Sequence, residues 1–179
     1  ELLDDAKVFQ GGGNEAYGLT LTDKVKMVAE HSMDRMFPRF RDGDDARWHA
    51  VITKAKAGSE DALQSVGWQG APETHPVCSA VLSAVGSGVK GKDVRDQLEG
   101  PPTGWPRDAV DGALIALFTA GHLRATLKGT PLRKGQLDQA KVSASDFQAE
   151  TTTIGTPERI VLRKLFQALE VPFKPGDES

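Results

Sequence analysis

The distribution of apolar residues predicts that the most regular element of this chain is a helix over residues 105–120. Apolar side chains recur there at intervals of three and four residues from Ala109 to Phe118, which is the spacing of one buried helical face. Pro106 suits the first turn of a helix, where its missing N–H is not needed. Gly121 follows, and glycine is a common residue just past a helix end. The sequence therefore predicts an amphipathic helix with both ends defined.

A short β-hairpin is predicted directly after this helix, over residues 122–134. Apolar and polar residues alternate from Leu123 to Leu127, which is typical of a strand with one buried side. Lys128 and Gly129 then supply a turn. A short helix, a glycine stop and a small basic hairpin are the last parts of a winged helix-turn-helix, so the sequence predicts that module.

The remaining patterns predict a mainly α-helical chain in three parts. They are a helical subdomain over residues 1–73, the winged helix-turn-helix with its short β-hairpin over residues 74–134, and a strand plus a C-terminal helix, packed on the winged helix, over residues 135–179. Capping residues and apolar spacing predict further helices over residues 20–36, 44–57, 59–66, 75–84, 90–98 and 156–169, and a strand over residues 147–154. Residues 67–74 mix glycine, proline and polar side chains, so a linker is predicted there.

For three of the predicted helices, the helical period predicts which residues are buried or exposed. The helix over residues 20–36 is expected to bury Val25, Val28, Ala29, Met36 and Phe37. The C-terminal helix is expected to bury Ile160, Val161, Leu165, Phe166 and Leu169. The outward face of the 105–120 helix is expected to carry Arg107, Asp108, Asp111, Gly112, Ile115 and Thr119.

Composition indicates a globular protein whose charge is unevenly distributed along the chain. The formal net charge is −3, yet residues 76–135 carry 8 Lys and Arg against 5 Asp and Glu, a net of +3. The single cysteine, Cys78, excludes an intramolecular disulfide and is expected to be a buried thiol in a reducing compartment. No apolar run approaches the ~18 residues of a membrane span. We expect a cytoplasmic protein without membrane contact and, because the chain begins at Glu1, a piece of a longer one.

The glycine-rich stretch Gly86–Asp93 resembles the phosphate-binding P-loop pattern in seven of its eight positions. Asp93 occupies the last position, where a P-loop needs a hydroxyl group to bind magnesium. A P-loop also follows a buried strand, whereas residues 76–84 have the pattern of a helix. The sequence therefore predicts a glycine-rich turn between the first two helices of the winged module, and no nucleotide site.

No other pattern in the sequence predicts catalysis. The four histidines, His31, His49, His75 and His122, share no metal-ligand spacing with one another or with Cys78; His75 is instead expected to cap the helix that follows it. The serines have no G-x-S-x-G elbow around them. Adjacent carboxylates fall at predicted helix starts, where the helix dipole favours negative charge. We therefore expect no catalytic residue, no cofactor and no metal in this chain.

Basic residues of the predicted winged helix form the candidate site for nucleic acid. Six of them can face a phosphate backbone together: Lys90, Lys92, Arg124, Lys128, Arg133 and Lys134. Winged helices that read DNA place the third helix in the major groove, but Asp108 and Asp111 on that helix would be repelled by phosphates. Protein interaction is therefore the favoured function. Weak, sequence-independent DNA binding with phosphate contacts from the wing is the alternative.

Four stretches of the chain resemble one family of bacterial phage-defence proteins. They are Gly104–Asp111, Asp34–Phe40, the Gly86–Lys92 turn with Val94-Arg95, and Arg159–Phe166. Together they resemble the large P-loop ATPase of BREX (bacteriophage exclusion) systems, of the BrxC/PglY type, over about residues 15–176. These stretches are diffuse signatures rather than catalytic motifs.

The resemblance implies that this chain is an internal or C-terminal-side segment of a much longer protein. The ATPase motifs of the family would lie outside the segment, so ATP binding belongs to the parent protein only, and no catalytic residue of the family can be assigned here. The implied function is a non-catalytic winged-helix segment that mediates protein interaction or assembly within the defence complex. The implied partners are other domains of the parent protein and further defence-system proteins.

Overall fold

Eight α-helices and four short strands occur in residues 6–150 and 156–169, the parts of the chain that the computed structural model describes. The helices are α1 (Leu21–Met36), α2 (Phe40–Gly43), α3 (Trp48–Lys56), α4 (Pro76–Val85), α5 (Gly91–Glu99), α6 (Arg107–Ala120), α7 (Gln139–Val142) and α8 (Thr156–Ala168). The strands are β1 (Val89–Lys90), β2 (Leu123–Leu127), β3 (Thr130–Pro131) and β4 (Ser145–Ala149), and short 3-10 helices lie at Ala62–Val66 and Pro72–Thr74. The predicted mainly α-helical fold class is confirmed.

The four strands form one antiparallel sheet in the order β1-β4-β2-β3. β2 and β3 form the predicted hairpin, with Leu127 opposite Thr130. The two residues between them, Lys128 and Gly129, both have positive φ, which is the requirement of the tight turns that match the twist of a hairpin. The hairpin is therefore closed where the sequence predicts its turn.

β4 lies in the middle of the sheet, between β1 and β2. Its Phe147 is opposite both Val89 and Ala125, so these three side chains share the inner face. The strand begins at Ser145, two residues before the predicted start, and residues 151–154 of the predicted strand lie outside the described residues.

The helix α6 is the centre of the hydrophobic core, since all of its residues from Ala109 to Thr119 are buried. The predicted outward face of this helix is therefore wrong: Asp111, Gly112, Ile115 and Thr119 are buried, and only Arg107 and Asp108 of that set are exposed. The helix α3 packs across this face at Gly112 and Thr119, and Asp111 is buried against Arg95 of α5. A Cβ atom at Gly112 would lie only 2.8 Å from Cε3 of Trp48 in α3, so glycine permits the close approach of the two helices.

One core extends across the predicted boundary between residues 73 and 74. Trp48 and Val51 of α3 and Leu63 of the following 3-10 helix belong to the same buried cluster as Val81 of α4 and Leu114 of α6. Residues before and after the predicted boundary therefore share a core, and the position 73/74 does not separate two independent ones.

The first helix begins where the sequence predicts, but its apolar face is not buried. Thr20 and Asp23 form a capping box, in which each side chain accepts the backbone N–H of the other residue. Val25 and Met36, two residues of the predicted buried face, are 51% and 52% exposed. Ala29 of that face is also exposed, and Val28 and Phe37 are half-buried. The predicted burial is thus wrong for Val25, Ala29 and Met36, which stay exposed within the described part of the chain.

In α8, as in α1, most of the face that was predicted to be buried is exposed. Four residues of its predicted buried stripe are 49–65% exposed: Ile160, Val161, Leu165 and Leu169. Phe166 is half-buried. The predicted helix is present, whereas burial of those four residues is not observed, and packing of this helix on the winged helix stays a prediction.

His75 caps α4, as the sequence predicts. Its Nδ1 accepts the backbone N–H of Val77 at 3.1 Å. The imidazole is buried between two indole rings, with ring centroids 5.4 Å from Trp48 and 5.1 Å from Trp68. Burial lowers the pKa of His75, because the charged imidazolium loses its hydration there.

We expect the folded protein to lose stability as the pH is lowered below the ordinary histidine pKa of 6.5. The unfolded chain takes up the proton first, because the pKa of His75 is lower in the folded protein. The contribution of His75 to the free energy of unfolding is therefore fully present above pH 6.5. Below that pH the free energy of unfolding falls by at most about 1.4 kcal/mol per pH unit, until the pKa of His75 in the folded protein is passed. Urea unfolding at several pH values between 7.5 and 5 measures this slope. His75→Asn keeps a capping oxygen but does not titrate, so the slope should flatten in that variant. An equal slope in both proteins would contradict the assignment.

Candidate interaction surface

The outer face of the sheet carries two of the six predicted cations. Lys90 of β1 is opposite Asp146 of β4, which in turn is opposite Thr126 of β2. Arg124 lies on the same face as Thr126, because side chains alternate along a strand. Neighbouring strands are ~4.8 Å apart, so Lys90 and Arg124 are separated by about the width of two strands. The carboxylate of Asp146 lies on the strand between them.

Two of the six cations are paired with carboxylates of the chain. Arg124 forms an ion pair with Glu150, just after β4, at 2.5 Å. Lys134 forms an ion pair with Glu60, before the first 3-10 helix, at 3.3 Å. Both pairs reduce the positive charge that these residues can offer to a phosphate group.

The other four cations are exposed and lie on separate elements. Lys90 ends β1, Lys92 is in the first turn of α5, Lys128 is in the hairpin turn, and Arg133 follows β3. No ion pair involves these four within the described residues. The structure therefore brings Lys90 and Arg124 onto one face of the sheet but directs Lys134 towards Glu60, and a phosphate site made of all six stays a prediction.

The burial of α6 leaves little of this helix exposed to a partner. Its two exposed residues, Arg107 and Asp108, lie in the first turn and are already engaged. Arg107 pairs with Glu99 at 2.9 Å, and Asp108 accepts a hydrogen bond from the Gln139 side chain at 2.7 Å. In this fold α6 has no free face to place in a major groove.

A buried ion pair joins α5 to α6. The guanidinium of Arg95 donates to both carboxylate oxygens of Asp111, at 2.7 and 2.9 Å, and also to the carbonyl oxygen of Gln139 at 3.0 Å. The Asp111 side chain is fully buried and that of Arg95 is 12% exposed. Burial raises the pKa of Asp111, and the guanidinium opposes that rise. The pair therefore fixes the positions of α5, α6 and α7 relative to one another.

Sequence reasoning did not identify this pair. Asp111 occurs in a run of small and apolar residues between Ala109 and Leu114, and Arg95 occurs near the middle of the preceding predicted helix. An acidic residue inside a predicted core helix is the signal that points to a buried partner.

The turn at Gly86–Asp93 does not have the context of a P-loop. The helix α4 precedes it, and β1, which follows Gly88, is an antiparallel strand of two residues. Gly91 opens α5 and is buried against α7, since a Cβ atom there would overlap the carbonyl oxygen of Val142 and lie 2.9 Å from Cε2 of Phe147. Close packing therefore accounts for this glycine.

The single cysteine and two of the histidines have surroundings that the structure defines. Cys78 is buried in the core, and burial raises the pKa of its thiol. His122 contacts Glu73, with Nε2 and Oε2 3.0 Å apart. The side-chain Nε2 of Gln10 donates a hydrogen bond to Nδ1 of His31, 2.8 Å away, on the surface of α1. Within the described residues, no group of three or more histidine, cysteine or acidic side chains could hold a metal ion.

A shallow groove of about 410 Å³ lies between α4, α5 and the loop after α5. Its polar rim is already used within the protein: Thr103 donates to the carbonyl of Leu98 at 2.7 Å, and Ser83 donates to that of Ser79 at 2.9 Å. Arg39, also on the rim, pairs with Asp42 at 3.1 Å and lies over the ring of Trp105. The lining residues supply no acid, base and nucleophile that converge on one point.

Comparisons with protein-family models, with curated proteins and with solved structures find no match to this chain. In the described part of the chain, no helix has both the length and the apolar character needed to cross a membrane.

We expect Arg95→Met to destabilise the fold by about 3–5 kcal/mol, because it leaves the buried Asp111 carboxylate without its partner. The double variant Arg95→Met/Asp111→Leu should recover much of this loss, since no buried charge remains. Urea unfolding of the single and double variants measures both effects. Arg107→Met is the matched control, because its pair with Glu99 is solvent-exposed and should matter little. A single variant as stable as the control would show that the pair is not structurally important.

A second pair of variants tests the role of Gly91. Gly91→Ala should lower the free energy of unfolding by about 1–3 kcal/mol, as overpacking does, because the new methyl group meets the Val142 carbonyl. Gly100→Ala is the control, since its Cβ would lie 3.5 Å from the nearest oxygen and its φ of −90° suits alanine. Chemical denaturation compares the two. Equal stability of both variants would refute the packing explanation.

Proposed function

We propose that this chain is a non-catalytic winged-helix module that binds other proteins. Support for the winged helix comes from the order of its elements: helix α4, strand β1, helices α5 and α6, then strands β2 and β4 in one antiparallel sheet. In this interpretation the wing is the chain between β2 and β4, which includes β3 and α7. The sequence predicts the three helices and the β2–β3 hairpin of this module, whereas it predicts a turn in place of β1 and assigns the strand β4 to the part of the chain after the module.

The observation that carries the proposal is the burial of α6 under α3. A winged helix that reads DNA needs its third helix free to enter the major groove, and here eleven successive residues of that helix are buried. The surface that remains combines paired charges on the sheet with exposed apolar side chains on α1 and α8. Exposed large apolar side chains favour contact with protein rather than with phosphate.

We further propose that the module belongs to the large P-loop ATPase of BREX phage-defence systems, acting in the cytoplasm. This part of the proposal rests on the resemblance of Asp34–Phe40, Gly86–Lys92 with Val94-Arg95, Gly104–Asp111 and Arg159–Phe166 to that family. The partners are then other domains of the parent ATPase or other proteins of the defence complex. Absence of the ATPase motifs from this segment leaves ATP binding to the rest of the parent.

The alternative function is DNA binding through the wing. It is favoured by the exposed cations Lys128 and Arg133 on the wing and by Lys90 and Lys92 at the start of α5. Because these four cations lie on separate elements, we propose contact with at most three or four phosphates and no reading of bases.

Titration of labelled duplex DNA, followed by fluorescence anisotropy at several salt concentrations, tests these functions. We expect weak, sequence-independent binding with a log–log salt slope of about −3, from roughly −0.9 per neutralised phosphate. Lys128→Ala should make the slope shallower by about 1. Arg124→Ala is the matched comparison and should leave the slope unchanged, because Glu150 already pairs with that guanidinium.

The opposite result would replace the proposed function by DNA recognition. It consists of tight, sequence-selective binding that Arg107→Ala abolishes and Lys128→Ala does not change. Such a pattern would mean that the first turn of α6 reads bases.

A further inference from the structure

Residues 68–74, called here the strap, cross the body of the protein (residues 41–150) between the first 3-10 helix and α4. Within the described residues, only two backbone hydrogen bonds leave the strap, and both reach close neighbours in the chain. The Trp68 N–H donates to the carbonyl of Leu63 at 3.1 Å, and the His75 N–H donates to that of Pro72 at 3.2 Å. None of the strap residues is fully buried. A segment with local hydrogen bonds and little burial opens at a smaller free-energy cost than the core does.

Two side-chain contacts attach the strap to the body, and each involves an imidazole. The indole of Trp68 packs against the imidazole of His75 in a T-shaped arrangement, with ring centroids 5.1 Å apart. His75 packs in the same way on Trp48 of α3, at 5.4 Å. Glu73 contacts His122, which lies between α6 and β2, with Oε2 and Nε2 3.0 Å apart. Protonation of a histidine therefore acts on both attachments.

Protonation of His75 removes the cap of α4. In the structure its Nδ1 accepts the N–H of Val77. An imidazolium carries a proton on both ring nitrogens, so it has no acceptor left for that N–H. The ring is 7% exposed, and a charge placed there loses most of its hydration. The contact of Trp68 with this ring is thus weakened when His75 is charged.

The charges beside His75 do not offset this effect. Asp42 of α2 is the carboxylate whose field favours the charged imidazole, but burial acts against it and is the larger influence. Arg39 pairs with Asp42 at 3.1 Å, which reduces that field further. Glu73, two residues before His75, is in contact with His122 instead. The net effect of the surroundings is to favour neutral His75.

The second imidazole responds in the opposite sense. A charged His122 binds the Glu73 carboxylate more strongly than a neutral one does, because the contact becomes an ion pair. Glu150, whose N–H donates to the His122 carbonyl, pairs with Arg124. Acidification therefore weakens the attachment through Trp68 and strengthens the attachment through Glu73.

We propose that the strap is a pH-sensitive switch: protonation of His75 releases Trp68 and uncaps α4, while the rest of the core stays closed. The contact between Glu73 and His122 keeps the open strap close to the body. Opening uncovers the indoles of Trp68 and Trp48, so an aromatic surface becomes more accessible on acidification. The switch goes beyond the proposed function, because it regulates access to this surface whichever partner the protein has.

Hydrogen exchange of the full chain at pH 7.5 and 5.5, corrected for the intrinsic exchange rates, tests the switch. Protection of the amides at residues 68–77 should fall by up to about tenfold, because opened His75 takes up a proton at its ordinary pKa of 6.5 and closed His75 does not. The amides of α6 should stay at least about 100-fold better protected at both pH values, because the core does not open with the strap.

Two variants assign the effect to one histidine. His75→Asn keeps a capping oxygen but does not titrate, so the fall in protection between the two pH values should disappear. His122→Asn is the matched control: it removes the other imidazole and leaves His75 in place, so the fall should remain at least as large as in the wild type. Circular dichroism verifies that both variants are folded.

Three results would overturn the proposal. One is equal protection of the strap and of α6, which means that the strap opens only when the whole fold does. Another is wild-type protection of the strap that stays constant or rises on acidification. The third is a fall that persists in His75→Asn and is lost in His122→Asn. The first two need only the wild type, so they decide the matter even if a variant does not fold.

Discussion

The close approach of α3 to α6 is the constraint on which the rest of the fold depends. It requires Gly112, because any larger residue there would meet the Trp48 ring, and it is reinforced by a hydrogen bond from Thr119 to the carbonyl of Ala55 at 3.0 Å. With α3 on one side and the sheet on another, α6 becomes a central helix with no free face. Of its fourteen residues, the eleven from Ala109 to Thr119 are buried, so α6 contributes to the core along most of its length.

A central helix must also accommodate its polar residues, and Asp111 shows how this chain does so. Leaving a carboxylate in the core without a partner would cost several kcal/mol, and Arg95 removes that cost while also binding the Gln139 carbonyl. One guanidinium therefore links α5, α6 and α7. Because Gly91 brings α7 against the start of α5, this polar contact and the close packing act on the same three helices.

Local signals in the sequence predict the positions of most helices and strands. They predict few of the contacts between these elements. His75, Gly121 and the Lys128-Gly129 turn act through neighbouring residues, so their predicted roles are confirmed. The environment of α6 depends on α3, some sixty residues earlier, and helical periodicity contains no information about such a partner. The candidate cations illustrate the same limit, since the pairing of Lys134 with Glu60 depends on the fold and not on spacing.

The same reasoning explains why α1 and α8 were expected to be buried. Periodicity shows that a helix has an apolar face, but it does not say which molecule covers that face. In the body the covering element is part of the chain, as Trp48 is for α6. For Met33 and Leu165, no covering element occurs among the described residues, so periodicity alone assigned these two faces to a core that they do not join.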